Sequence, residues 1–218
     1  MRVQAAWTHM KAILDYAHKE ITQKFGHVPS KTMTVELHTN QKFVGTAGSP
    51  VWADTLFDHT TGAIHIPTQG ALEDLGLFSR VVRHEFVHAL LFEYLNGHST
   101  VAPTWLVEGL AMHLAEDPWS DVEEAGQKGS ALIPLTSLQG AWTQLPNESV
   151  LIAYLEASSA TQNLLDRYSM YGVRQVMSAL QGGQSLDTAM QQKLSVPYEQ
   201  FQRQWEQTRS SFIRPGNS

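Results

Sequence analysis

At 218 residues the chain can bury one substantial core or divide it between two lobes, and its 42% hydrophobic and 17% charged residues are those of an ordinary globular protein. A net charge of -6 with no Lys/Arg cluster excludes a nucleic-acid surface, which needs cations to displace phosphate counterions. There is no cysteine, so disulfides, thiolate metal sites and a cysteine nucleophile are excluded, and only His, Asp and Glu remain as metal ligands.

Along the chain, Trp7, Met10, Ile13, Leu14, Ala17, Ile21 and Phe25 recur at helical spacing from Val3 to Phe25, and Gly26 with Pro29 closes this amphipathic first helix. Thr32–His38, Val51–Phe57 and Ala63–Ile66 have strand character and are separated by Gly45, Gly48, Pro50 and a His59-Thr60-Thr61-Gly62 turn, which predicts a small sheet. Leu75 to Leu95 is apolar almost all round and stops at Asn96-Gly97, the pattern of a helix buried in a core. Helices are then predicted over Pro103–Ala115, Val150–Tyr168, Val173–Leu180, Leu186–Leu194 and Pro197–Phe212, the last behind a Ser195 cap, with a long irregular connection from Asp117 to Asn147. We read residues 1–218 as a single α+β domain. Its N-terminal lobe, residues 1–95, is helix plus sheet and ends in the central buried helix; its C-terminal lobe, residues 96–218, is all helical.

No stretch supplies the run of about 20 apolar residues that a membrane-spanning helix needs, so no membrane span is expected. The first residues also lack the apolar core of a secretion signal. An initial Met set directly before a helix is compatible with a removed leader or neighbouring domain, which leaves the compartment open, an extracytoplasmic one included, and leaves the oligomeric state open as well.

Chemistry concentrates in His84-Glu85-Phe86-Val87-His88. On a helix of 3.6 residues per turn, residues i and i+4 share a face, so His84 and His88 can aim one nitrogen each at a common point while Glu85 stands beside it without being a ligand. Zinc needs a third protein ligand that leaves one position for water, and Glu108 of Trp105-Leu106-Val107-Glu108-Gly109 offers a carboxylate from the next helix. A chance match on a surface helix is disfavoured by the apolar flanks, because each unpartnered polar group would cost about 1–3 kcal/mol to bury there. A closed structural zinc site is disfavoured too, since it takes four protein ligands.

The His84-Glu85-x-x-His88 motif followed by Trp105-Leu106-x-Glu108-Gly109 resembles the gluzincin clan of zinc peptidases, and within it the peptidase MA-like domains and minimal gluzincins. The resemblance implies a zincin-like fold, one zinc ion on His84, His88 and Glu108, and Glu85 as the catalytic base. It also implies a downstream tyrosine that stabilises the oxyanion, for which Tyr154 in Ile152–Ala157 is the candidate and Tyr168 the reserve. Finally, it implies a sheet-edge strand on which an extended peptide or protein substrate adds by main-chain pairing; Gly48–Asp54 occupies the matching place, with Ser49, Val51, Trp52 and Ala53 as binding residues. Two departures stand out. Ser49–Ala53 lacks the glutamate with which aminopeptidase relatives capture a free amine, which favours endopeptidase over exopeptidase action. Where thermolysin-like relatives place a carboxylate partner for a zinc histidine, one turn after the Glu ligand, this chain has Met112.

Two other functions fit the same residues: a peptide-binding or regulatory module of gluzincin fold with little turnover, and a zinc hydrolase of a non-peptide amide or ester. An intact Glu85 beside a full ligand set argues against the first, and an edge strand argues against the second. The remaining histidines, among them His59, His65, His98 and His113, read as surface or hydrogen-bonded core groups. Trp52 and Trp105 are candidates for lining a cleft or for plain packing.

Overall fold

The computed structural model describes residues 2–42, 57–69, 73–116, 132–142 and 145–213, and these form an α+β fold of six α-helices and one three-stranded sheet. The chain divides into two compact units, the first made of residues 1–99 with 114–117 and the second of residues 100–113 with 118–218. No helix among the described residues is long and apolar enough to cross a membrane.

In the first unit, the amphipathic helix α1 (Arg2–Phe25) ends in a left-handed Gly26, as its sequence predicts. Strand β1 (Thr34–Lys42) pairs in parallel with β3 (Ala63–Gln69), and β2 (Phe57–Asp58) pairs antiparallel with β3, giving the order β1-β3-β2. Between β2 and β3 the predicted turn forms: Asp58 accepts from Thr60 N and Thr61 Oγ1, and Gly62 takes the left-handed conformation the reversal requires. Strand alternation turns Val35, Leu37, Ile64 and Ile66 to one face, where they meet Met10, Ile13 and Leu14 of α1 and Phe78, Val81, Val82 and Ala89 of α2 (Leu75–Tyr94). This is the core that fixes α2 on the sheet.

Local chemistry holds α2 at both ends. Asp74 caps its N-terminus by accepting from Leu77 N at 2.9 Å, a signal not singled out in the sequence. At the other end Asn96 and Gly97 both adopt positive φ, and Gly97 N donates to Phe92 O at 2.8 Å, the closure that Asn96-Gly97 predicts. Glu93 accepts from Ser30 N at 3.0 Å and meets His27 Nε2 at 2.7 Å, pinning the chain after α1 to the last turn of α2.

In the second unit, α3 (Thr104–Ala115) continues into the first, and α4 (Asn147–Gln181), α5 (Leu186–Leu194) and α6 (Tyr198–Ile213) make the rest. The two predicted helices at 150–168 and 173–180 are one long helix broken at Ser169, whose φ of 60° and ψ of 170° are non-helical, so the sequence break falls at a real kink. Ser195 does not cap α6 as expected. It is the left-handed residue that ends α5, and Tyr198 N at the start of α6 donates instead to Asp187 of α5 at 2.9 Å. Thr104 N donates to Gln139 O at 3.0 Å, so Pro103 stands just before α3 and not inside it.

Candidate metal centre

His84, Glu85 and His88 lie in the middle of α2 among Val81, Val82, Phe86, Val87 and Leu91, and their relative exposures are only 1%, 2% and 8%. The i, i+4 spacing does what the helix geometry predicts: His84 Nε2 and His88 Nε2 face each other at 3.1 Å, with ring planes 72° apart. Two ligands at 2.0–2.1 Å from a tetrahedral ion stand about 3.3–3.4 Å apart, so this pair already has close to the spacing that zinc takes. The fully buried ring of Phe57 lies nearly parallel to that of His88, with centroids 6.5 Å apart and planes 23° apart.

Glu108, the carboxylate that the motif offers as third ligand, is half-buried on α3. Two imidazoles and a carboxylate are ligand types that suit zinc, and three protein ligands leave a coordination position for water. The donor set therefore fits the ion that the sequence motif implies.

The neighbours of Glu108 explain the rest of its segment. Trp105 is fully buried and stacks on Tyr198 at 6.5 Å and Phe201 at 6.1 Å, so its role is packing and not cleft lining. At Gly109 an added Cβ would stand 2.1 Å from Thr161 Oγ1 and 2.5 Å from the Ala157 carbonyl, so only glycine lets α3 lie this close to α4. The Trp and the Gly thus set α3 against the helices of the second unit.

Tyr154 is buried in the first half of α4, its ring edge-to-face with Trp142 at 4.9 Å and 83°. Tyr168 is half-buried nearer the kink. The substrate-binding candidates Ser49, Val51, Trp52 and Ala53 lie outside the described residues, as does most of the predicted strand Val51–Phe57. Its last residue, Phe57, begins β2, an outer strand among the described residues. His113 is exposed at the end of α3.

Two features escaped sequence reasoning. His59 is exposed, but its ring sits 6.5 Å from that of His88 and 5.0 Å from Phe57. A turn between two short strands gave no sign of that proximity. His65 is not an isolated histidine either, since it stands beside His38 and Glu36 on the sheet. In comparison with protein-family models, curated proteins and solved structures, nothing matches this chain.

Proposed function

We propose that this protein is a zinc-dependent endopeptidase of zincin-like fold, with one catalytic zinc ion on His84, His88 and Glu108. The observation that carries the reading is the buried imidazole pair on α2, 3.1 Å apart at Nε2, with the equally buried carboxylate of Glu85 next to it in the chain. Burying two imidazoles and an acid together in an apolar helix is costly, and a cation that binds both rings offsets that cost. The gluzincin likeness of the two motifs supports the same assignment.

Zinc in such a ligand set supplies Lewis acidity, which acidifies water toward neutral pH and polarises a carbonyl. His84 and His88 act as neutral donors through Nε2. Glu85 accepts a proton from the attacking water as its oxygen bonds to the scissile carbonyl carbon, and returns that proton to the amine nitrogen when the C–N bond breaks. Tyr154 donates its hydroxyl hydrogen to the oxyanion. The substrate extends along Ser49–Ala53 as an added strand, the role that the gluzincin likeness implies for that segment. The absence of an acid from Ser49–Ala53 disfavours capture of a free N-terminal amine and so favours internal bonds.

Incubation with a diverse peptide library tests the reading. Cleavage within peptides, abolished by a chelator and restored by zinc, is the expected result. A zinc-loaded, folded protein that cleaves no peptide would overturn it.

A further inference from the structure

We propose that Glu36, His38 and His65 form a second metal site, separate from the α2 histidines, which takes a borderline divalent cation of the zinc class and clamps β1 to β3. Three observations lead to it. Glu36 and His38 are two apart on β1 and so share one face, and His65 of β3 is the direct parallel partner of Glu36. The residues between them, Val35, Leu37, Ile64 and Ile66, all turn to the core, which leaves the three polar side chains together on the opposite face. The atoms converge: His38 Nε2 is 2.9 Å from His65 Nδ1, and His65 Nδ1 is 3.4 Å from Glu36 Oε2.

Hydrogen bonding alone serves this geometry poorly. A carboxylate only accepts, and a neutral imidazole nitrogen either donates or accepts, so the single proton on His65 Nδ1 cannot be given fully to both His38 and Glu36. A cation takes a lone pair from each of the three. Ligands 2.0–2.1 Å from one ion are about 2.9 Å apart at right angles and about 3.4 Å apart at the tetrahedral angle, which brackets both separations. Two imidazoles with one carboxylate select Zn2+, Ni2+ or Cu2+ over Ca2+ or Mg2+, which prefer oxygen-rich sets. Glu36 is more than half exposed, so water can fill the remaining positions. The site is consequently open and adds a cross-link between the two parallel strands rather than a buried centre.

Calorimetric titration with ZnCl2 tests the inference in protein carrying His84→Ala and His88→Ala, in which the α2 pair is gone whatever its function. About one equivalent should still bind and raise Tm, and adding His38→Ala or His65→Ala should abolish both effects. No saturable binding in the first protein, or binding that survives the added substitutions, overturns the proposal. Should the α2 variant fail to fold, His38→Ala/His65→Ala is made in the otherwise native chain. Zinc content then falls by about one equivalent relative to the native chain, and an unchanged content overturns the proposal.

Discussion

His84 and His88 meet at 3.1 Å on one turn of a buried helix, whereas His38 and His65 meet at 2.9 Å across two strands on a face partly open to water. The residue types and distances are nearly the same, and the surroundings differ. The sheet cluster is partly open to water, which offsets part of the cost of gathering three polar groups there. The helix pair sits among Val81, Val87 and Leu91, where charge is expensive to bury, so its polar groups constrain what can bind there. A buried group therefore argues for function more strongly than an exposed one of the same composition.

The largest expected effect tests that contrast at the buried centre. Glu85→Gln should keep zinc and lower kcat by about 10²–10⁴-fold, measured by peptide turnover together with elemental analysis. Full activity in the variant would remove Glu85 from the chemistry.

The second tests whether burial carries the same weight elsewhere. Glu156, 1% exposed, meets Arg209, 11% exposed, at 3.2 Å. Arg209→Met strands the carboxylate and should cost about 3 kcal/mol in urea unfolding at pH 7. A loss close to zero would show that the pair is not energetically buried.

The third follows the same carboxyl with pH. Burial pushes Glu156 up from its ordinary 4.5 to about 6, against the pull of Arg209. The folded state thus holds this proton more tightly than the unfolded state does. The contribution to stability is full below about pH 4.5 and is lost as pH rises through about 6, by on the order of 2 kcal/mol. Stability of the native chain minus that of Glu156→Gln, followed from pH 4 to pH 7, should fall across that window, and a flat difference would contradict the shift.

The smallest is the exposed control. Lys11 and Asp15 are 2.6 Å apart on α1 with side chains 62% and 66% exposed, and Lys11→Met should change stability by less than about 0.5 kcal/mol.

Much of this molecule was legible because it rests on local periodicity. The i, i+4 histidines, the Asn96-Gly97 stop and the break near Ser169 each follow from a few neighbouring residues, and the structure forms them at or near the predicted positions. What was missed depends on register and partners distant in sequence. Period two places Glu36 and His38 on one face, but only the parallel pairing of β1 with β3 brings His65 opposite, and no short-range signal encodes that register. Ser195 failed for a related reason: a Ser before a Pro reads as an N-cap, yet Asp187 from the preceding helix reaches Tyr198 N first. Trp105 could be assigned to packing only once Tyr198 and Phe201 were seen beside it.

Anomalous X-ray diffraction at the zinc edge, from zinc-loaded crystals, tests the central claim most directly. The account predicts a strong peak about 2.0–2.1 Å from the Nε2 atoms of His84 and His88 and about 2.0–2.2 Å from a Glu108 oxygen. No peak between those side chains, or zinc only at Glu36, His38 and His65, would contradict it.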